Sequence, residues 1–254
     1  MRWWLVLPLL ALFVLGCTGD DEPEDLTVFA AASLRDVVDE LEVAWLEEHP
    51  GVPLTVATDA SNVLAAQIQE GAPADVFMSA DTLRPRQLNE AGFTAGDPVP
   101  FAGNHLRLVA ALNADEVQVP ADLAQPGIRL VGVSEGVPVT AYTHEVSAGL
   151  AATMTQPQAF AEALAANVVS REDNVRAALA KVELGEGDAA FVYATDARGS
   201  SDVREVPLPP AVDVIATYAA VQVSDRPMAA AFVEWLGGPV ATGVITGAGF
   251  EPVP

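Results

Sequence analysis

Short apolar runs alternate with stretches of helical periodicity along most of this sequence. Between two such runs, for example, apolar side chains recur at helical spacing at Leu34, Val37, Val38, Leu41 and Trp45. Alternating strands and helices are typical of α/β proteins with largely parallel sheets, because parallel strands need a crossover connection. We therefore predict an α/β fold, with strands at 26–31, 52–57, 75–79, 106–112, 129–134, 189–193 and 212–223.

Glycine and proline indicate where these elements end and how the chain divides. Gly71, Gly92 and Gly185 stand where helices should end. A Gly- and Pro-rich stretch at 93–104 closes one α/β group, and the apolar run at 212–223 can cross back to it. We predict two α/β lobes around a ligand cleft, the first built from 26–103 and 217–254 and the second from 104–216.

The N-terminal residues have the pattern of a bacterial lipoprotein signal. Residues 1–16 carry Arg2 before an apolar run that is too short to span a bilayer comfortably. The sequence VLGC at 14–17 resembles a lipobox, so we predict that Cys17 is lipidated and that 17–25 is an acidic tether. The protein is then an extracytoplasmic lipoprotein, in the periplasm or on the outer face of the cytoplasmic membrane. The alternative is an ordinary signal peptide with an incidental cysteine.

Charge and composition exclude several functional classes. With 12 Lys and Arg against 35 Asp and Glu, the net charge of -23 excludes binding to a phosphate backbone, so we expect no nucleic-acid partner. One cysteine cannot form a disulfide framework. His49, His105 and His144 lack metal-ligand spacing, and neither a P-loop nor a nucleophile elbow occurs. We expect a monomer with no catalytic residue, no resident cofactor and no direct ligand for a metal cation.

Small polar residues recur where a predicted strand gives way to a helix. Ser33, Ser61 and Asn174 occupy such positions. The start of a helix offers unpaired backbone N–H groups and a partial positive charge, and three starts facing one cleft suit a small oxyanion. The alternative is that these residues are ordinary helix caps, as the capping-box pattern Ser33-x-x-Asp36 suggests.

Several longer segments resemble those of a known family. They are TVFAAASL at 27–34, QIQEGAPADVFMSAD at 67–81, NVRAALAKVE at 174–183 and FVYATDA at 191–197, with Gly238-Pro239 and Gly249-Phe250 near the C-terminus. In this order and spacing the chain resembles the periplasmic molybdate-binding proteins of ABC transporters. The resemblance implies the bilobal type II periplasmic-binding fold.

The resemblance also implies which residues bind the ligand. The hydroxyls of Ser33 and Ser61 would bind the oxyanion, Tyr193 would donate its phenol, and Val139 and Val175 would contribute backbone N–H groups. Asn62 stands where relatives often have serine, which leaves its role open.

We therefore expect a receptor that captures molybdate, and tungstate as well, and delivers it to the permease of an ABC importer. The main alternative is the same fold binding sulfate, thiosulfate or another tetrahedral oxyanion. A tungstate-type site completed by carboxylates is less favoured, because no acidic residue stands at the matching positions. A secreted hydrolase with Ser33 or Ser61 as nucleophile is the alternative from another class, and it needs a histidine beside the serine.

Overall fold

The computed structural model describes residues 25–253. The strands are β1 Leu26–Ala31, β2 Leu54–Asp59, β3 Val76–Ser79, β4 Val99–Ala111, β5 Leu130–Val133, β6 Val168–Glu172, β7 Ala189–Tyr193, β8 Val203–Val206 and β9 Ile215–Gln222. The helices are α1 Arg35–Glu48, α2 Ser61–Gln69, α3 Leu83–Glu90, α4 Pro138–Thr153, α5 Pro157–Ala166, α6 Val175–Glu183, α7 Ala194–Arg198, α8 Pro227–Leu236 and α9 Pro239–Gly247. The predicted signal and tether, with Cys17, lie outside the described residues except for Asp25.

The strands follow one another in the order β2-β1-β3-β9-β4-β7-β5-β6, and β8 pairs with β4. Strand β4 joins two sheets, because its residues from Val99 to His105 pair with β9 while those from Leu106 to Ala111 pair with β7 and β8. The strands therefore form two groups, which we call the first half (β1–β3, β9 and the start of β4) and the second half (β5–β8 and the end of β4). The mixed α/β architecture agrees with the predicted fold class.

Both halves are parallel at their outer strands and antiparallel near β4. Strand β1 pairs in parallel with β2 and β3, and β5 does so with β6 and β7. The pairs β3–β9, β4–β9, β4–β7 and β4–β8 are antiparallel. The expectation of largely parallel sheets is therefore only half right. The predicted lobe boundaries, at 104 and 217, stay a proposal.

The apolar stripe predicted for α1 is buried in the core. Val37, Val38, Leu41 and Trp45 are all buried, and the Trp45 ring packs edge-on against Phe232 of α8 with ring centroids 5.1 Å apart. Burial of such side chains removes apolar surface from water and holds helix to sheet, at about 1.5–3 kcal/mol for each large residue. The core thus fixes the position of the loop that leads into α1.

The predicted helix ends are confirmed, whereas one strand is longer than expected. Gly71, Gly92 and Gly185 have φ of 91°, 79° and 70°, and each follows the helix that it was expected to end. The Gly- and Pro-rich stretch at 93–104 was expected to end an α/β group before a strand at 106–112, but its residues from Val99 onwards are the first part of β4. A register shift between Pro100 and Ala102 accommodates the proline in this strand.

Strands β6 and β8 had not been predicted. Both are short, and β6 has no buried residue, so neither carries a continuous apolar run.

No single helix within residues 25–253 is long and apolar enough to cross a membrane, although the bent pair α8 and α9 meets the criteria of length and composition together.

Candidate ligand-binding site

A small cavity lies between the two halves, with about 220 Å³ of empty space that includes open solvent. The first half contributes the residues that follow β1, β2 and β3, and the second half contributes the starts of α4 and α6 and the end of β7. Twelve described residues line the cavity: Ala31, Ala32, Ser33, Ala60, Ser61, Ala80, Val137, Pro138, Val139, Asn174, Val175 and Tyr193. All five predicted ligand-binding residues are therefore brought together.

Four helical segments begin at this cavity. A 3-10 turn at Ala32–Leu34 leads into α1, and α2, α4 and α6 begin at Ser61, Pro138 and Val175. The first N–H groups of a helix have no partner within it, and the helix dipole adds a partial positive charge there. None of the twelve lining residues is charged. The cavity is therefore suited to an anion that is held by hydrogen-bond donors.

Ser33 is not a helix cap. It lies inside the 3-10 turn, and α1 has Leu34 at its N-cap with no capping side chain, so the expected capping box with Asp36 is absent. The buried Ser33 Oγ instead lies 2.8 Å from the hydroxyl of Tyr218. The capping interpretation of Ser33 is therefore wrong.

Ser61 is not a cap either, since the N-cap of α2 is Ala60 and Ser61 is the first helical residue. Its buried Oγ accepts a hydrogen bond from the backbone N–H of Ala80 at 3.1 Å. An oxygen that already accepts in this way keeps its own hydrogen for another acceptor. The Ser61 hydroxyl is thus available as a donor at the cavity wall.

Asn174 is the one cap among the three candidates. Its side-chain oxygen accepts from the backbone N–H of Ala177 at 3.0 Å, which satisfies one free donor of α6. This leaves the N–H groups nearer the start of α6, including that of Val175, without a partner inside the helix. Val139 is the second residue of α4 and so also lies in a first helical turn, and both valines are buried.

Tyr193 brings an unsatisfied donor to the cavity. Its side chain is 1% exposed, and its hydroxyl has no hydrogen-bond partner among the described residues. Burial, reinforced by the neighbouring Tyr218, raises the pKa of Tyr193 well above its usual value. The phenol therefore keeps its hydrogen at neutral pH, and a buried donor of this kind calls for an acceptor.

A buried ion pair lies close to Tyr193. Asp196, which is fully buried, has one carboxylate oxygen 2.6 Å from Arg176 Nε, although the two atoms are not aligned for a hydrogen bond. Burial raises the pKa of Asp196 to about 7, against the opposing effect of Arg176. Arg176 also pairs with Asp36 in α1, so its charge is compensated and does not face the cavity.

Three contacts connect the halves around the cavity. Arg176 pairs with Asp36, Arg84 Nη2 donates to the carbonyl of Gly136 at 2.7 Å, and Asn174 Nδ2 lies 3.5 Å from Asp59 Oδ1. These contacts join the two halves across the cleft.

Asn62 borders the closed cleft without lining the cavity. Its amide nitrogen lies 3.9 Å from the position that a Cβ atom on Gly136 would occupy, and its buried Oδ1 has no partner within residues 25–253. Its role stays open.

Two buried polar residues that sequence reasoning missed stand behind the cavity. Tyr218 on β9 lies within the apolar run at 212–223, whereas Asn104 on β4 is the last residue of the Gly- and Pro-rich stretch at 93–104. A polar side chain within an apolar run is the signal that the sequence offers for Tyr218, and Asn104 has no comparable signal.

A larger cavity, with about 1030 Å³ of empty space that includes open solvent, lies beneath α4 and α5 in the second half. Most of its surface is apolar, and of the five predicted ligand-binding residues it contains none. Size alone does not make it the anion site, because it lacks the converging helix starts.

Comparison with known proteins finds a matching family and similar relatives. The model of the family of bacterial extracellular solute-binding proteins matches residues 26–251. The molybdate-binding protein ModA of Mycobacterium tuberculosis H37Rv is 33% identical over 237 residues, which are 86% of either chain.

Two solved structures share the fold. The substrate-binding domain of a putative molybdenum ABC transporter from Clostridium difficile has a TM-score of 0.67 at 26% identity, over 91% of this chain and 99% of that one. The sulfate-binding protein SubI of M. tuberculosis H37Rv has a TM-score of 0.78 at 22% identity, over 91% and 87%. This chain belongs to the family of bacterial extracellular solute-binding proteins.

Proposed function

We propose that this protein captures molybdate, and tungstate as well, between its two halves and delivers the ion to an ABC importer. The observation that carries the proposal is the donor-only lining of the small cavity, with helix starts from both halves and the unpartnered hydroxyl of Tyr193. The ModA relative and the Clostridium difficile neighbour support the choice of ion and of transport system.

The chemistry of the ion fits such a lining. Molybdate and tungstate are fully deprotonated at neutral pH, so their oxygens need donors alone, and charge-assisted hydrogen bonds from neutral groups supply them. Ser33, Ser61 and Tyr193 would donate through hydroxyls, and Val139 and Val175 through backbone N–H groups. Phosphate keeps a proton at that pH, and none of the twelve lining residues has a carboxylate to accept it.

The choice among oxyanions is tested by thermal unfolding with four of them. A ligand that binds only the folded protein stabilises it by about 4 kcal/mol at a thousandfold excess over Kd. We expect large and similar shifts with molybdate and tungstate, and a small shift with sulfate, whose shorter bonds leave hydrogen bonds stretched. Phosphate should give essentially none.

Two outcomes would contradict the proposal. A sulfate shift equal to or above that of molybdate would favour a sulfate receptor of the same fold. No shift with any of the four ions would favour the hydrolase, and turnover of generic ester substrates would then be measured. Within residues 25–253, Ser33 Oγ is hydrogen-bonded to Tyr218 and Ser61 Oγ to the backbone of Ala80, and neither serine has a histidine as a hydrogen-bond partner.

We also propose that the protein is a monomer held at the membrane through a lipid on Cys17. The support is the VLGC pattern at 14–17, followed by the acidic tether. Cys17→Ser removes the acylation site and should release the protein, because an acidic tether does not bind an anionic membrane. Membrane fractionation of both forms measures this, and a serine variant that stays with the membrane would refute the anchor.

A further inference from the structure

A chain of polar side chains runs behind the cavity from the first half to the second. Ser33 Oγ lies 2.8 Å from the Tyr218 hydroxyl, and Asn104 Nδ2 lies 3.5 Å from that same hydroxyl. Asn104 Nδ2 also donates to Thr195 Oγ1 in α7 at 2.9 Å. The first three of these residues are buried, so their hydrogen bonds are exchanged with one another and not with bulk water.

The two middle members are fixed by two paired strands of the first half, β9 and the start of β4. In the β4–β9 ladder, Tyr218 stands opposite Ala102 and Asn104 opposite Ala216, which places all four on one face. The Tyr218 ring also packs edge-on against Tyr193, with centroids 5.6 Å apart, and against Phe250 at 5.5 Å. Tyr218 does not line the cavity, so it can act on a ligand only through a neighbour.

The hydrogen bonds of this chain run in one direction. Asn104 presents N–H groups to both Thr195 and Tyr218, so the Tyr218 oxygen is an acceptor towards Asn104. Geometry alone allows either oxygen of the Ser33–Tyr218 pair to donate, and the greater acidity of a phenol than of an alkyl hydroxyl favours Tyr218 as the donor. In that direction Ser33 Oγ accepts a hydrogen bond from behind, and its own hydrogen is available to the cavity.

We propose that Tyr218 is a positioning residue that holds the Ser33 hydroxyl as a donor to the bound anion. The incoming hydrogen bond selects one rotation of the Ser33 hydroxyl and polarises its O–H bond, which strengthens donation to an oxyanion. Asn104 in turn keeps the Tyr218 hydrogen directed at Ser33. This inference rests on the proposed function, because the anion is its acceptor.

Whether Tyr218→Phe lowers or raises the affinity tests which hydroxyl donates in the hydrogen bond between Tyr218 and Ser33. Phenylalanine keeps the ring and its packing and removes only the hydroxyl. We expect the affinity for molybdate, measured by calorimetric titration, to fall about three- to tenfold. If Ser33 instead donated to Tyr218, the substitution would free the Ser33 hydrogen for the anion, so an equal or higher affinity would overturn the inference.

A double-mutant cycle separates positioning from a general structural role. In a Ser33→Ala background, Tyr218→Phe should change the affinity less than twofold, because the hydroxyl through which it acts is gone. In a Ser61→Ala background, the matched control, its full effect should remain. An undiminished effect of Tyr218→Phe without Ser33 would overturn the inference.

Two further arms keep the test decisive. If Tyr218→Phe does not fold, Asn104→Leu removes the donor that directs Tyr218, and its weaker loss of affinity should again disappear with Ser33→Ala. If the parent protein binds no molybdate, the proposed function fails and this inference with it. If the parent binds molybdate but the cycle shows no coupling, this inference fails alone.

Discussion

The two halves of the cavity supply their donors in different ways. In the first half, the oxygens of Ser33 and Ser61 are already engaged with Tyr218 and with the Ala80 N–H. In the second half, the Tyr193 hydroxyl has no partner among residues 25–253. The hydroxyls of the first half are therefore engaged by neighbouring protein groups, whereas the phenol of Tyr193 is left to donate to a ligand. Substitutions in the two halves should separate binding from stability.

The largest effect is expected in the first half, where Ser33→Ala and Ser61→Ala should each weaken molybdate binding about tenfold to a hundredfold. Each removes a donor to a buried dianion, worth about 1.5–3 kcal/mol. Each should also lower the free energy of unfolding by about 1–3 kcal/mol, because Tyr218 or the Ala80 N–H loses a partner. Titration calorimetry and denaturant unfolding of the ligand-free protein measure the two effects.

Ser224→Ala is a matched control for these serines. Its hydroxyl lies 2.6 Å from Asp75 and outside the cavity lining, so stability should fall while affinity stays. If Ser33→Ala or Ser61→Ala behaved like this control, the serines would support the fold and not the ligand.

The second half should respond differently, since Tyr193→Phe removes a hydroxyl that the empty protein does not use. Affinity should fall by about 1–2 kcal/mol, or roughly five- to thirtyfold. The free energy of unfolding should stay the same or rise, because an unsatisfied buried donor is lost. The same two measurements apply, with Tyr142→Phe, outside the cavity lining, as the control. A clear loss of stability in Tyr193→Phe would show that the Tyr193 hydroxyl also supports the fold, as the serine hydroxyls of the first half do.

A smaller effect should come from the buried carboxyl of the second half. The pKa of Asp196 is about 7, and its charge also acts on Tyr193. A bound dianion raises this pKa further, so binding takes up protons, and affinity should fall about two- to fivefold as pH rises from 6 to 8.5. Asp196→Asn should flatten this dependence in titrations across that range. If the pH dependence of affinity persists in Asp196→Asn, another titrating group is responsible for it.

The same carboxyl predicts how the ligand-free protein responds to pH. Its pKa is raised above that of an unfolded chain, so the folded protein binds more protons between about pH 4 and 7. Its contribution to stability is thus greatest at low pH and is lost as pH rises through about 7.

The smallest effect is expected for the ion pair that joins the halves. The Asp36 side chain is 64% exposed, so its pair with Arg176 is worth at most about 1 kcal/mol. Asp36→Asn should lower affinity by about threefold or less, and less still in high salt. Glu90→Gln breaks an exposed pair with Arg86 inside one helix, and it should leave affinity unchanged. Equal effects of the two variants would show that the contact between the halves does not favour closure.

Sequence patterns predicted the local elements well and their partners less well. The strands at 26–31 and 189–193 have the predicted bounds, because each is a short apolar run before a polar or helix-forming segment. The capping role of Ser33 was wrong, because a neighbour distant in sequence, Tyr218, takes its hydroxyl. A local sequence pattern does not reveal such a contact. It also does not reveal the strand pairing that extends β4 through a Gly- and Pro-rich stretch.

The continuity of β4 restricts how the cleft moves. The strand changes partner between His105 and Leu106, yet its backbone runs unbroken from one sheet into the other. A peptide backbone resists stretching and bends through its φ and ψ angles, so the halves swing about this point more easily than they slide. Exposure of a ligand in the cleft is then expected to depend mainly on this bending angle. Two probes, one on each half, would report occupancy as a single change in distance between them.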